Sequence, residues 1–494
     1  MPGRGRALPA PTFVDLMDRA RVRRLGLLAA ALAAAFAYAN ALQNGFVLDD
    51  GAIVLRNPLV TSPATSWRAF FLPYWPESLG GGQYRPLGIV SFALDWLVSG
   101  GDARWFHTVN VLWHVAATAL VWLLAAELLA PVAATGAALL FAVHPVHVEA
   151  VANTVGRLEP MAAVFVMVAL LAHRHRSRSA AVWFALGLLS KESAIVFLGL
   201  AAANDLLLER DWRAALRTRR VWYAAYAAVV IAYVIVLVAV FHDRTIANPA
   251  RALAGATTGE RLAMAAQVFP HYVRLLLAPA ELSGSYAPMV IAPQPWGSLA
   301  VLVGLATALI ALIAILVIAS RRRWPVLAFA LVWIPISLAP VSNVFFTSGV
   351  VLAERTLYLA SAGVCLAAGA VAERFLVARA GWVTVATCSI ALAFAARTWT
   401  RTPVWRDDKT YVATLLDERP ESYEGYLVYG RVLKMANLFD EAERELTKAR
   451  HLFKRDPIVY YEAADLAVRQ GRFDVAAALL DSAKNANSLP VVAR

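Results

Sequence analysis

Charged residues are scarce in this 494-residue sequence: they make up 16% of it, against 60% for hydrophobic residues. A soluble protein of this length would be far more polar, so the composition excludes an ordinary soluble globular chain. Cysteine is also nearly absent. Cys365 and Cys388 each lie inside an apolar run, where a thiol acts as a small buried side chain. Two such residues indicate neither a disulfide framework nor a zinc site.

Acidic residues are outnumbered as well, since 34 Asp and Glu against 46 Lys and Arg give a net charge of +12. The excess basic residues cluster between apolar stretches, which fits membrane topology better than nucleic-acid binding. The apolar stretches are long enough to cross a hydrocarbon core of about 30 Å, which needs about 20 residues per helix. The composition therefore predicts an all-α, polytopic membrane protein.

The hydropathy pattern predicts eleven spans, and most of their centres lack charged residues. They are 24–42, 106–129, 132–150, 158–173, 180–190, 193–207, 221–241, 297–319, 324–341, 356–372 and 381–397. The fifth and sixth are short and flank a polar turn at Lys191 and Glu192. Because such a turn must be shielded from lipid, we expect a helical pair that turns inside the protein. No repeat relates one span to another, which disfavours a transporter.

Arginine clusters orient the predicted spans. One precedes the first span, and others follow the fourth, sixth, eighth and tenth, so all lie on one side, the cytoplasm. We predict a cytoplasmic segment at 1–23 and a membrane domain at 24–400. The first span is the first of many, so we interpret it as retained and not as a cleaved signal peptide. The first loop (43–105), the 242–296 region and the C-terminal tail then face outward.

The tail differs in composition from the rest of the chain. It is charged, favours helix and has an internal period of 34 residues, in which Gly430 aligns with Ala464 and Ala442 with Ala476. This period, with small residues where paired helices meet, is typical of tetratricopeptide repeats. We therefore predict an α-solenoid over 401–494. Such solenoids present concave surfaces that hold peptides or proteins.

An acidic pair, Asp49-Asp50, follows the first span closely. Two adjacent carboxylates at a membrane surface are costly to desolvate, and apolar surroundings would raise their pKa values. A general base on the outer face of the bilayer is one use for such a group. A turn or helix-capping pair in a solvated loop is the structural alternative, and the sequence leaves both open.

Polar residues recur at the predicted outer ends of other spans. His144, His147 and Glu149 end the third span, and the two histidines share a helix face. Two imidazoles and one carboxylate favour substrate hydrogen bonding over a metal site. Further candidates for substrate binding are Arg85, Arg157, Glu159, Lys191, Glu192, Glu354, Arg355 and Tyr358. A cation there can bind a lipid phosphate, and structural ion pairs or interfacial anchors are the alternatives.

Taken in order, these segments resemble the transmembrane-and-tetratricopeptide-repeat-containing (TMTC-like) family of protein O-mannosyltransferases. The matching stretches are 46–50 (FVLDD), 84–87 (YRPL), 144–157 (HPVHVEAVANTVGR), 190–192 (SKE), 248–286 and 353–361 (AERTLYLAS). The resemblance covers nearly the whole chain and implies the polytopic helical fold of the C-type glycosyltransferases (GT-C). It also implies that an acid in the first outer loop is the catalytic base. Asp49 matches the first acid of the family's pair, ahead of Asp50.

The resemblance implies that a sugar, mannose or another hexose, moves from a polyprenyl-phosphate donor to a hydroxyl of an extracytoplasmic acceptor, Ser or Thr of a protein. A lipid phosphate as leaving group and one carboxylate base imply inversion, with no cofactor and no metal. The Ala- and Arg-rich composition indicates a bacterial protein, with its site and repeats in the periplasm. Two alternatives remain open: a lipid or envelope-glycan acceptor, and a non-catalytic membrane scaffold that presents repeats.

Overall fold

The computed structural model describes residues 13–76, 81–242, 250–286 and 288–486, and every regular element in these ranges is a helix. The predicted all-α class is confirmed. The residues outside these ranges include 1–12 of the predicted cytoplasmic segment, 77–80 of the predicted first loop, 248 and 249 of one matching stretch, and 487–494 of the predicted solenoid.

Twenty α-helices occur in the described ranges, several of them joined by short 3₁₀ segments. They are α1 (Phe13–Ala37), α2 (Pro58–Thr61), α3 (Pro86–Ser99), α4 (Ala103–Leu128), α5 (Pro131–Ala142), α6 (Val148–Ala152), α7 (Leu158–Arg174), α8 (Ala180–Ser190), α9 (Phe197–Leu207), α10 (Trp212–Thr218), α11 (Arg220–Phe241), α12 (Thr258–Leu277), α13 (Leu299–Ser320), α14 (Pro325–Leu338), α15 (Tyr358–Arg401), α16 (Asp408–Glu418), α17 (Tyr423–Met435), α18 (Phe439–Leu452), α19 (Pro457–Arg469) and α20 (Phe473–Ala486).

Seven helical stretches in the described part are long and apolar enough to cross a membrane, which makes the chain an integral membrane protein. They are Ala20–Gln43, Ala103–Leu128, Thr154–Arg174, Arg220–Phe241, Leu299–Ser320, Glu354–Leu376 and Ala378–Trp405. The last two belong to α15, whose helical backbone is broken at Arg379. A pair bent by 46°, Pro131–Ala142 and Pro145–Ala152, gives an eighth.

The count of seven or eight is lower than the eleven spans predicted. Each predicted range does contain a helix, but α8, α9 and α14 have only 11, 11 and 14 residues. A straight crossing needs about 20 residues, so helix length does not support these three as full spans. In the polar turn between α8 and α9, Ser190 and Lys191 are buried, whereas the side chain of Glu192 is 47% exposed. The expected shielding of this turn therefore holds for Lys191 and not for Glu192.

Small side chains build the centre of the membrane bundle. Ala34 of α1, Ala117 and Ala125 of α4 and Ala134 of α5 are fully buried in the largest hydrophobic core. Small residues let helix backbones approach closely where burial of apolar surface from water contributes little. A second core combines α12 with the segments around 250–291 and 338–360, and it lies next to the C-terminal helices.

The 34-residue period of the tail appears as two helix pairs. Helices α19 and α20 begin and end 34 residues after α17 and α18, which confirms a repeated pair of helices. A Cβ on Gly430 would lie 2.6 Å from Cγ of Leu446, so a small residue is required where α17 crosses α18. The assignment of these pairs to the tetratricopeptide class stays a prediction.

Gly304 allows the close contact between α12 and α13, because a Cβ there would overlap the carbonyl group of Ala266. We predict that Gly304→Ala lowers the thermal stability of the detergent-purified protein, since overpacking a rigid contact costs about 1–3 kcal/mol. Gly381→Ala is the matched control, because nothing lies near its Cβ position. Alanine favours a helix by about 1 kcal/mol over glycine, so the control should be neutral or stabilising. Equal melting temperatures for the two variants would contradict the predicted contact.

Candidate active site

A cavity of about 830 Å³ lies between the membrane helices and the C-terminal helices. Its wall combines residues of the first loop, the third predicted span, the 250–286 segment, the 349–355 segment that precedes the tenth predicted span, and helices α16, α17 and α19. Three of the predicted site residues line it directly: Asp49, Glu149 and Arg355. Segments that are far apart in sequence therefore meet around the first acid of the Asp49-Asp50 pair.

Asp49 lies at a turn just before the single π-helical turn Gly51–Leu55. Its side chain is exposed to the cavity, and within the described ranges its carboxylate forms neither a hydrogen bond nor an ion pair. The mass of protein around the cavity excludes much of the bulk water. This desolvation raises the pKa of the Asp49 carboxyl above its ordinary value of 3.8.

Charges from four parts of the chain act on the pKa of Asp49. After desolvation the largest influences are Arg355, which lowers this pKa, and Glu149, which raises it. Arg431 of α17 and Arg85 of the first loop also lower it. Three of these residues, Arg355, Glu149 and Arg431, line the same cavity as Asp49.

Asp50 differs from its neighbour because its side chain is completely buried. One carboxylate oxygen accepts a hydrogen bond from the backbone N–H of Val47 at 3.0 Å, and the other from Val155 at 2.9 Å. Burial raises the pKa of Asp50 to about 7. Asp50 thus ties the first loop to the connection between α6 and α7. Gly156, next to Val155, allows this connection to lie close against α6, since a Cβ there would overlap the Glu149 carbonyl.

Three ion pairs hold the predicted cations. Arg355 pairs with Glu149, and its backbone N–H also donates to Glu149 at 2.9 Å. Glu149 is buried, whereas the Arg355 side chain is 33% exposed, so the carboxylate holds the guanidinium at the cavity wall.

The other two pairs involve the turn between α8 and α9. Lys191 pairs with Glu159, and Arg85 donates from Nε to Glu192 at 2.9 Å. Burial alone would raise the pKa of Glu192, but Arg85 outweighs this and lowers it to about 2. Arg85 also lies 5.4 Å from the centre of the Tyr74 ring. These contacts fix the position of both cations.

Three predicted binding residues lie in a buried cluster of rings and not at the cavity. His144 is within 3.1 Å of the Leu276 carbonyl oxygen through Nε2, and His147 is within 2.6 Å of the Ser361 hydroxyl. The hydroxyl of Tyr358 lies 2.7 Å from Nδ1 of His114. All are essentially inaccessible to solvent. Their placement favours a role in packing, so substrate contact by these residues stays a prediction without structural support.

The side chains of Arg157 and Glu354 likewise bond to other groups of the protein. Arg157 is fully buried, pairs with Asp95 and donates to Asn110 at 2.6 Å. Glu354 accepts from the Ser283 N–H at 2.6 Å and from the Tyr286 hydroxyl at 2.8 Å. These bonds join helices and fix the 283–286 segment, as expected for the structural alternative of ion pairing and bonding between helices.

Other residues line the cavity besides Asp49, Glu149 and Arg355. Asn153, within the 144–157 stretch, lines the cavity and is buried, and no partner for its Oδ1 is found in the described part of the chain. Its position in that motif was the available signal. Tyr411, Glu424 and Asp408 of the C-terminal helices also line the cavity. Nothing in their sequence context indicates this, because it depends on how the tail folds back.

Comparison with known proteins agrees with the earlier resemblance. A family model for dolichyl-phosphate-mannose-protein mannosyltransferases matches residues 93–241. The protein O-mannosyl-transferase F38B6.6 of Caenorhabditis elegans is 27% identical over 443 residues, which is 85% of this chain and 61% of that protein. Along most of its length, the chain is thus similar to protein O-mannosyl-transferases of the TMTC type.

Two further relatives show how the similarity is distributed in the family. The human protein O-mannosyl-transferase TMTC3 is 23% identical over 84% of this chain and 50% of its own length. Tmtc2 of Drosophila melanogaster is 42% identical, over 34% of this chain and 20% of its own length. The chain thus spans about half the length of the relatives that it matches along most of its sequence. No solved structure matches the chain.

The different environments of the two acids predict different effects on stability. Asp50→Asn places an amide NH₂ where a backbone N–H now donates, and losing one buried hydrogen bond to a charged group costs about 1.5–3 kcal/mol. We expect this variant to melt at a lower temperature than the native protein. Asp49→Asn removes no recorded contact and should melt like the native protein. Thermal unfolding in detergent measures both, and a larger loss in Asp49→Asn would contradict the roles described here.

Proposed function

We propose that this chain is a membrane glycosyltransferase that moves a hexose from a polyprenyl-phosphate donor to a Ser or Thr hydroxyl of a protein, with Asp49 as the general base. Its relatives are named protein O-mannosyl-transferases, and this favours mannose as the sugar. The observation that carries the proposal is the Asp49 carboxylate: it is unpaired within the described ranges, it faces a large cavity, and cations surround it.

The proposed reaction is a single displacement at C1 of the sugar. The acceptor oxygen forms a bond to C1 as its proton passes to the Asp49 carboxylate, and the bond from C1 to the phosphate oxygen breaks. The electron pair leaves with the lipid phosphate. Attack on the face opposite the leaving group inverts the anomeric configuration, as in enzymes with one base and no covalent intermediate. The raised pKa of Asp49 makes its carboxylate a stronger base than an ordinary aspartate.

The leaving phosphate needs positive charge and no proton from an acid. Arg355 at the cavity wall, together with Lys191 and Arg85, would supply this charge, and each of the three is held by a carboxylate. Fixed cations stabilise charge that develops in the transition state without reorganising at that moment. The paired acids Glu149, Glu159 and Glu192 would therefore orient the cations. No step in this scheme uses a cofactor or a metal.

The acceptor would lie between the membrane domain and the tail. The same cavity that contains Asp49 continues along α17 and α19, where Arg431, Lys434 and Glu462 line it. Ion pairs among these residues, such as Lys434 with Glu462 at 2.6 Å, give this wall a fixed pattern of charge. We propose that a segment of the acceptor protein occupies this space. By the arginine distribution, the site would face the periplasm of a bacterial inner membrane.

Loss of the base should abolish transfer without unfolding the protein. We predict that Asp49→Asn lowers sugar transfer by about 10²–10⁴-fold, the usual contribution of a general base. The measurement uses purified protein in nanodiscs, a panel of radiolabelled polyprenyl-phosphate sugars and a periplasmic protein extract. Asp481→Asn, an exposed acid on α20, is the matched control and should be fully active.

Three outcomes of this assay would contradict parts of the proposal. Transfer by Asp49→Asn at the native rate would remove Asp49 as the base. Label that appears only in lipid or glycan would replace the protein acceptor. No transfer by the native protein from any donor would favour the scaffold alternative.

The raised pKa of Asp49 predicts a pH dependence of transfer. Only the deprotonated carboxylate accepts a proton, so kcat/KM should fall as the pH drops through a pKa above the ordinary 3.8. Asp50 also titrates, at about 7, so the profile is measured in Asp50→Asn as well. The acidic limb should persist in that variant and disappear from the residual rate of Asp49→Asn. A rate in Asp50→Asn that is independent of pH down to about 4 would contradict the assignment.

A further inference from the structure

We propose that Asp408, the first residue of α16, is a positioning residue that holds the loop carrying Asp49. This inference rests on the proposed role of Asp49 as the base. It assigns the C-terminal region a part in catalysis besides any contact with an acceptor.

The loop before Asp49 has an unfavourable backbone conformation. Leu48 has a φ of 52°, in the left-handed region that side chains with a Cβ rarely adopt. Such a residue stays in place only when its surroundings hold it there. The direction of the Asp49 side chain depends on this angle, because Leu48 directly precedes it.

Two hydrogen bonds connect this loop to the first residue of α16 and to the segment just before that helix. The backbone N–H of Leu48 donates to Oδ1 of Asp408 at 2.8 Å, across 360 positions of sequence. The N–H of Gly45 donates to the carbonyl oxygen of Arg406 at 2.8 Å. A Cβ on Gly45 would lie 3.1 Å from that oxygen, so the two backbones touch. Asp50, bonded to Val155, fixes the other side of the turn.

Asp407 and Asp408 are neighbours with different partners. Asp407 caps its own helix, because its Oδ1 accepts from the Thr410 N–H at 2.7 Å. Asp408 instead reaches the Leu48 N–H, and it also lines the cavity. Substitutions at these two residues therefore distinguish an effect on the stability of α16 from an effect on the position of the loop.

Helix α16 also connects the loop to the rest of the cavity wall. Its Tyr411 hydroxyl donates to the carbonyl oxygen of Gly284 at 2.9 Å, and the helix packs against α17 of the first repeated pair. A shift of the tail would thus move Asp408, and with it Leu48 and Asp49. We infer that the tail must dock for the base to point into the cavity.

The test compares Asp408→Ala, Asp408→Asn and Asp407→Ala in the full-length protein in nanodiscs. Asp408→Ala should lower kcat for sugar transfer by at least about tenfold with the KM for the donor unchanged, since small displacements of a catalytic group cost that much or more. Asp408→Asn should restore kcat, because its amide oxygen can still accept from the Leu48 N–H. Asp407→Ala should keep the native kcat.

Hydrogen–deuterium exchange gives a second readout that does not need activity. Exchange of the amides in 44–50 should rise in Asp408→Ala and remain native in Asp408→Asn and Asp407→Ala. If Asp408→Ala does not fold, Asp408→Ser, which is too short to reach Leu48, takes its place. A native exchange rate and native kcat in that variant, with Asp49→Asn inactive, would overturn the positioning role and leave the proposed function intact. A native protein without transfer would overturn the proposed function, and the exchange rates would still decide whether Asp408 holds the loop.

Discussion

The arrangement of the site depends on the buried Asp50 carboxylate. Its two oxygens accept backbone N–H groups from Val47 and Val155, so one side chain joins the first loop to the connection between α6 and α7. A buried carboxylate is tolerated only when hydrogen bonds replace the lost water. The two hydrogen bonds to Asp50 therefore fix the backbone on either side of Asp49. The neighbouring acid is then left free to face the cavity.

Charge pairing distinguishes the predicted cations from Asp49. In the described part of the chain, Arg355, Lys191 and Arg85 each have a carboxylate partner, as membrane surroundings require. Within the same ranges the Asp49 carboxylate has no such partner, so its charge is balanced only through space. An unpaired carboxylate in such a site raises the free energy of the folded state. In the proposed function, a bound substrate would complete this site.

Much of the fold could be predicted because its signals are local. Apolar runs predict membrane helices, and the 34-residue period predicts helices that repeat with that spacing, as α17–α20 do. The number of spans could not be obtained in this way, because hydropathy marks α8, α9 and α14 as apolar without deciding whether they cross the bilayer. The polar residues of the 144–157 stretch show the same limit. Glu149 lines the cavity, whereas His147 and Arg157 are buried in the protein.

The sequence by itself determined the membrane class, the helical repeat and the candidate acids, because composition and periodicity are properties of neighbouring residues. Only the tertiary structure decided which acid is free and which is buried, since Asp49 and Asp50 are chemically identical and differ in their partners. It also brought Asp408 to Leu48, across 360 positions. Such contacts depend on how distant helices pack, and the spacing of residues along the chain carries no record of that packing.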